Sequence, residues 1–430
     1  MRCFLQEAPH PFRRCCMPYF DNIRFPAGCR AVIDVTKAPW LVDNTGREDC
    51  TEKLVRLIDT LLEEHVRDME AAYRELCEAE SDVWTCLANR RIGDRIQAVF
   101  PKRLNQTPML YFPNGTYLVS DTVSYTLENL HNMMYHYTTN GFELNRCIRL
   151  IGQSRDGTVI RLRDNCKGFE FGNERPVISF MRGERSNIAM SNYIENLTID
   201  TGRGNPGAVG LKFFANNSGA VRHVAIRSSD EAHKGAVGLL VDGEIVSGCY
   251  VRDLLVDGFS YGIKVVPCRN FAVFEDITLK NQQKYGMTVV NTITSVRGLK
   301  SEGTVPALHV SGATAHVVLT DAVLCGDTPV YPAIKVDLGC VFLRNITTRG
   351  FRYAYDRCLT EITLPDGRIE EYGTLPGYTL SGGKARSLNL AVPPLPEPEW
   401  EQEPEDWCCV EDFGAVGVGC TDDTESIQAA

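Results

Sequence analysis

The sequence predicts an all-β solenoid, a coiled parallel β-helix with an N-terminal α-helical cap, on three observations. An apolar strand pattern keeps returning between residues 194 and 350: IENLTID, VRHVAIR, VRDLLVD, FEDITLK, VRGLKSE, LTDAVLC and LRNITTR. With Asn196, His223, Asp253, Asp276, Gly298, Asp321 and Asn345 taken as equivalent, the intervals are 27, 30, 23, 22, 23 and 24 residues. A second register runs between the first, in which Gly210, Gly238, Gly262, Gly286, Ala307 and Ala333 each open a short apolar strand such as Gly262-Ile-Lys-Val. Ahead of both, residues 52–76 place Leu54, Leu57, Ile58, Leu61, Leu62, Val66, Met69, Tyr73 and Leu76 at helical spacing.

Two short strands per turn, a period in the low twenties and no helical pattern between them are what a coiled parallel sheet requires. A leucine-rich repeat shares that period but needs a fixed Leu and Asn scaffold, and its length does not vary from 22 to 30 residues. Inward strand positions are Leu, Ile, Val, Phe or Ala and stack on the same position one coil away, while Arg222, Lys264, Lys280 and Lys335 alternate outward. An open solenoid end exposes unpaired edges and apolar stack, so the amphipathic helix at about residues 50–80 is expected to cover it. Asp49 and Glu52 precede that helix three apart, as in a capping box with Asp in place of Ser or Thr.

Composition narrows the function. The chain has 430 residues and a net charge of −10, so its field opposes phosphate backbones and argues against a nucleic-acid partner. No stretch approaches the roughly 18 apolar residues of a membrane span, and the opening MRCFLQEAPHPFRRCC lacks the apolar core of a signal peptide, so the expected location is cytoplasmic. Seventeen cysteines, with the vicinal pairs Cys15-Cys16 and Cys408-Cys409 but no CxxC, indicate reduced and mostly buried thiols rather than a disulfide framework or a zinc site. Neither a metal nor a cofactor is called for.

Five segments follow along the chain: an extension at 1–30, the coiled module with its cap at 31–350, a non-repeating β segment at 351–391, a linker at 392–407, and the start of a second module at 408–430. Within the non-repeating segment, Leu364-Pro-Asp-Gly-Arg368 is a turn signal between two short strands that would close the coil. The linker VPPLPEPEWEQEPEDW holds five prolines and six acids, the composition of a stiff solvated spacer. The second module is read from a repeated motif, G-x-x-D-x-T-E-x-[Leu/Ile], which occurs at Gly46–Leu54 and again at Gly419–Ile427.

VEDFGAVGVGCTDDTESIQAA resembles the entry motif of the pectate lyase superfamily domain, in which such a segment opens a right-handed parallel β-helix and its cap helix. Residues 32–59, 110–123 and 148–162 resemble further pieces of that domain in order, so the likeness covers about residues 30–350. Two such modules joined by an acidic proline-rich linker are similar to the double β-helix layout of glycoside hydrolase family 55, exo-acting β-1,3-glucanases. The sequence departs from the motif at Val418, where an Asp is usual, and in the first copy, VDNTGRED. Those glucanases draw their proposed catalytic acid from the second β-helix, so the resemblance carries no catalytic residue to this chain.

The residues themselves offer candidates for glycan chemistry. Glycoside hydrolysis asks for two carboxyl groups roughly 5 to 9.5 Å apart, and acids at equivalent corners of neighbouring coils come within about 5 Å. Asp230, Glu231 and Asp242 are the expected catalytic carboxylates, with Asp200, His233, Glu244, Tyr261 and Lys264 as substrate contacts and Asp257 one coil further. The SSDEAHKG stretch at 228–235 lies in the longest interval, and reads either as a groove corner or as a solvated loop. A polysaccharide lyase would use Arg182, Arg185, Arg203 or Lys264 as base, with carboxylates holding calcium. Tyr193, Phe214, Tyr261, Tyr285 and Tyr331 could stack on sugar rings, and Tyr261 and Tyr285, each before a coil glycine, form a ladder. The expected partner is a polysaccharide or oligosaccharide, together with self-association or association with a second β-helix. A glycoside hydrolase of β-glucanase type is the first expectation, and a non-catalytic glycan-binding or structural β-helix, as in tailspikes and adhesins, is the alternative.

Overall fold

The computed structural model describes residues 22–26, 29, 32–64, 109–125, 148–180, 190–243, 249–266, 271–377, 379–380, 382–383, 390–393, 401, 403–416 and 421–430. The expected continuation of the cap helix past residue 64, Arg182, Arg185 and Glu244 lie outside the described residues.

The chain winds as a parallel β-helix. One sheet has nine strands, stepping from Arg175–Ser179 through Ala208–Phe213, Val237–Val241, Tyr261–Val265, Tyr285–Val290, Leu308–Ser311 and Pro332–Val336 to Tyr353–Arg357 and Ile362–Leu364. The other has sixteen, and its long strands are bent. Asn216–Arg227, Cys249–Asp257, Phe271–Lys280, His316–Gly326 and Cys340–Arg349 each carry one left-handed residue in mid-course: His223, Asp253, Asp276, Asp321 and Asn345, with φ between 50° and 57°. Asn196 (φ 61°) and Gly298 (φ 73°) occupy the same corner between pairs of shorter strands. These are the repeat markers read from the sequence. The repeat keeps Asn, Asp, Gly or His there because the corner demands a backbone that β-branched residues resist. Each coil therefore has three faces, one in the nine-stranded sheet and two in the bent one.

The strands stack in register, so one interior column runs Leu211, Leu239, Ile263, Met287, Leu308, Ile334, every member fully buried. Each such side chain contributes roughly 1.5–3 kcal/mol of transfer free energy. The glycine that opens each short strand is required by close approach. A Cβ at Gly238 would stand 2.3 Å from Val256 Cγ1 and 2.6 Å from the Gly262 carbonyl oxygen.

Both ends of the coil are covered. Residues 51–64 are helical, and Leu54, Leu57, Ile58 and Leu62 bury into the same core as the first coils. At the other end Ile362–Leu364 pairs antiparallel with Tyr353–Arg357 on the small sheet, and Arg368–Gly373 pairs antiparallel with Cys340–Arg349 on the large one. The two arms of the expected turn thus spread onto separate sheets instead of pairing with each other, and a single turn blunts both edges.

The end of the linker meets the N-terminal extension: Arg24 Nη2 meets Glu403 Oε2 at 2.6 Å, and the Trp407 ring stands edge-on to Phe25 at 6.2 Å. The two copies of the repeated motif make one local structure. Asp49 accepts hydrogen bonds from the Thr51 amide (3.0 Å) and hydroxyl (2.6 Å), and Asp422 accepts them from the Thr424 amide (3.0 Å) and hydroxyl (2.5 Å). The second copy opens a short helix, Thr424–Ala429. Nine cysteines are described and all are free. Cys50, Cys166 and Cys249 are buried, whereas Cys29, Cys325 and Cys340 are half-buried and Cys358, Cys408 and Cys409 exposed, so the expectation of mostly buried thiols is corrected. Among the described residues no helix is long and apolar enough to cross a membrane.

Candidate functional site

The predicted site residues separate onto two places. Asp200, Asp230, Glu231 and His233 share the corner that leads into the nine-stranded sheet, with Asp257 one coil on. Asp200 is buried and fully engaged: its oxygens accept from the Gly202 amide (2.9 Å), Arg227 Nε (3.2 Å) and the Ser229 hydroxyl (2.6 Å). Asp230 accepts from the Gly204 and Ala232 amides, both at 3.0 Å. The Gly204 amide first, then those of Ala232 and Lys234 and the Lys234 charge, hold its carboxyl below the usual range against a smaller opposing effect of burial. A carboxyl so held is an ionised turn anchor, opposite to what a general acid needs. Glu231 is exposed and makes no hydrogen bond or ion pair among the described residues. His233 sits at φ 53° with Nδ1 3.7 Å from Asp257 Oδ1, and Asp257 accepts from Asn281 Nδ2 at 2.7 Å.

Asp242 lies at the other edge of the same sheet, beyond the five-residue strand Val237–Val241, where Lys212 Nζ approaches it at 3.5 Å. Five residues of strand span about 16 Å. The strand therefore separates Asp242 from Asp230 and Glu231 by more than the 5 to 9.5 Å a hydrolytic pair needs.

Between these edges the outer face of the nine-stranded sheet carries a cluster that joins the expected Tyr261, Tyr285 and Lys264 to Lys284, His309, Lys335 and Asp337, which were not expected as site residues. Tyr261 and Tyr285, paired in register, lie with ring centroids 6.0 Å apart and planes tilted by 37°, and Tyr285 stacks on His309 at 4.2 Å and 10°. Cations line this column. Lys264 Nζ and Lys284 Nζ stand 5.3 and 5.1 Å over the Tyr261 ring, and Lys335 Nζ lies 6.0 Å from the Tyr285 centroid and 3.5 Å from its hydroxyl. Asp337 Oδ2 meets His309 Nε2 at 2.8 Å, and its Oδ1 meets Lys335 Nζ at 3.2 Å. Burial pushes the Asp337 carboxyl up, but the contacts of His309 and Lys335 outweigh it and leave the carboxyl below its usual range. Lys335 is raised: its own burial opposes the charge, and Asp337 and the Tyr285 hydroxyl more than offset it. Lys284 is raised by Tyr261. Both ammonium groups stay charged at neutral pH. They act as fixed positive charges, not as bases.

The sequence carried a signal for this cluster. The third residue of each opening quartet in the second register is Lys212, Leu240, Lys264, Thr288, His309, Lys335, and these are register partners in the structure. Of the other aromatics, Tyr193 packs under Arg149, Phe214 is buried beneath Lys212, and Tyr331 is exposed at a corner. The outward cations are engaged rather than free: Arg222 with Glu195 (4.0 Å), Lys264 with Glu174 (4.0 Å) and Lys280 with Glu302 (3.5 Å). Among the described residues no group of three or more His, Cys, Asp or Glu is arranged to hold a metal ion.

The architecture defines the class, a parallel β-helix protein of the pectate lyase-like kind. Residues 42–305 match the family described as rhamnogalacturonase A/epimerase, pectate lyase-like, and the chain belongs to that family. No curated protein matches it. Among solved structures it is similar to the catalytic domain of Agl-KA (11% identity, 59% of this chain and 52% of that one, TM-score 0.35). It is also similar to ORF18 of Geobacillus virus E2 (12%, 74% and 62%, 0.28) and to the catalytic domain of the GH87 α-1,3-glucanase (9%, 57% and 41%, 0.30). The chain thus spans between 41% and 62% of the length of those three proteins.

Proposed function

We propose that the chain acts on a polysaccharide laid along the outer face of the nine-stranded sheet, and that a chain bearing uronate carboxylates fits this face best. The observation that carries this reading is the Tyr261–Tyr285–His309 column with Lys264, Lys284 and Lys335 beside it. The ring faces are taken up by one another and by the lysines, so sugar rings would meet the tyrosine edges and hydroxyls, while the Lys284 and Lys335 ammonium groups, which stay charged at neutral pH, would receive carboxylates. Coils are about 4.8 Å apart, so an extended glycan would meet a fresh set of contacts at each coil.

Binding of polygalacturonate, rhamnogalacturonan and laminarin, followed by calorimetry at low and high salt, tests the reading. It expects the acidic chains to bind and to weaken as salt rises. Tyr285→Ala should weaken them about three- to tenfold. Tighter, salt-insensitive binding of the neutral glucan would overturn it.

A hydrolytic, β-glucanase-type reading is favoured by one separate observation, the same Asp–Thr cap built at Asp49 and Asp422. That repetition supports a second module, and catalysis would then draw on both. Reducing-sugar release from laminarin by a chain carrying a complete second module, with none from residues 1–430, is the outcome this reading expects. Among the described predicted carboxylates Glu231 is exposed and unengaged, and its contribution would appear as lost turnover in Glu231→Gln.

A further inference from the structure

His309 is the member of the aromatic column whose charge can change near neutral pH, and its neighbours are arranged to accept either state. Imidazole is the side chain that titrates between about pH 5 and 8, whereas Lys284 and Lys335 stay charged there and Asp337 stays ionised. The His309 ring is buried and stacked on Tyr285. Its Nε2 meets Asp337 Oδ2 at 2.8 Å, and because a carboxylate only accepts, that nitrogen keeps its hydrogen in both states. Its Nδ1 stands 3.4 Å from the hydroxyl of Thr288, which is itself buried. A hydroxyl donates to a bare ring nitrogen and, after turning about its C–O bond, accepts from a protonated one. No heavy atom has to move between the two.

The charges around the ring are few and fixed in register. Lys264, Thr288, His309, Lys335 and Asp356 succeed one another, one residue per coil. From the preceding coil the ring meets Tyr285 and Thr288, and from the following one Asp337, whose other oxygen meets Lys335 Nζ at 3.2 Å. The Cys358 thiol donates to Asp337 Oδ1 at 3.4 Å, Lys284 and Lys264 stand over Tyr261, and Glu174 approaches Lys264 at 4.0 Å. A uronate carboxylate received by Lys335 adds a negative charge one coil from the ring, about 5 Å away, and an added negative charge at that range favours the charged imidazole.

Resting on the glycan-binding reading of this face, we propose that His309 takes up a proton when an acidic glycan binds: Nδ1 gains a hydrogen from solvent, and the Thr288 hydroxyl turns from donor to acceptor. The column then meets the ligand with one more positive charge, and its affinity for uronate chains rises as pH falls from 8 towards 6. Linkage to a single proton limits that rise to about tenfold per pH unit. A neutral glycan brings no charge and gains nothing.

Calorimetry of trigalacturonate binding to the full chain at pH 8 and pH 6, each in two buffers of different ionisation enthalpy, reads affinity and proton uptake together. The proposal expects binding about threefold or more tighter at pH 6, with net proton uptake by the unmodified chain. In His309→Gln the two affinities should be equal and the uptake lost, and in Thr288→Val the ratio should shrink, with both variants matching the unmodified chain by circular dichroism. Binding without proton uptake and without pH dependence would overturn this proposal and leave the glycan-binding face standing. An unchanged ratio and uptake in His309→Gln would overturn it as well, by placing the proton elsewhere. Failure of trigalacturonate to bind at either pH would overturn both.

Discussion

At the residue scale, side chains that look interchangeable in the sequence have sharply different duties. Asp253 and His223 are both left-handed corner residues, and His223 Nδ1 meets Asp253 Oδ2 at 2.5 Å with Arg155 Nη1 3.5 Å from the same oxygen. Burial raises the Asp253 carboxyl, but His223 and the nearby arginines prevail and it lies below the ordinary value, as Asp337 does. A carboxyl whose folded pKa is depressed adds stability that is present above its unfolded value, about 3.9, and lost as pH falls through the folded one. Thermal stability is therefore expected to hold from neutral pH down to about 4 and then to fall, with Asp253→Asn showing a shallower acid loss than the unmodified chain. An equal loss in both would show that the corner pair does not contribute. Little of this was legible beforehand. Asp200 and Asp230 read as chemistry because they are acids near a long loop, yet their oxygens are consumed by Ser229, Arg227 and backbone amides. Hydrogen bonds to amides leave no trace in composition. His309 passed unnoticed because its significance lies in the Tyr285 ring stacked on it and the Asp337 carboxylate beside it, each one coil away.

At the scale of the element, the repeat was legible because two constraints recur every coil. The corner needs a left-handed residue, and the small sheet needs a residue without a side chain where coils approach. Asp321→Val should cost about 1–2 kcal/mol by forcing a β-branched residue to φ 56°, whereas Asp321→Asn should be nearly neutral. Gly238→Ala should cost about 1–3 kcal/mol, since the added carbon would meet Val256 and the next coil's carbonyl. In the interior column Ile263→Ala is expected to cost about 2–5 kcal/mol, and urea titration measures all four variants. The turn at 364–368 was legible as a turn, but not the divergence of its arms, which depends on two edges that meet only in the folded coil.

For the whole molecule, fold and candidate site have different origins in the sequence. The solenoid is written in periodicity, which survives 27- and 30-residue coils because insertions fall at corners. The aromatic and cationic column is written across coils, in residues 21 to 28 positions apart, and emerges only when the register is known: Tyr285 with His309, His309 with Asp337. On the function proposed above, the nine-stranded sheet is the working face. The most direct test of that assignment is backbone hydrogen exchange of the full chain with and without a saturating uronate oligosaccharide. Slower exchange confined to Tyr261–Val265, Tyr285–Val290, Leu308–Ser311 and Pro332–Val336, abolished in Tyr261→Ala/Tyr285→Ala, is the result expected. Protection on the outer face of the large sheet instead, or at the 228–235 corner alone, would contradict the account.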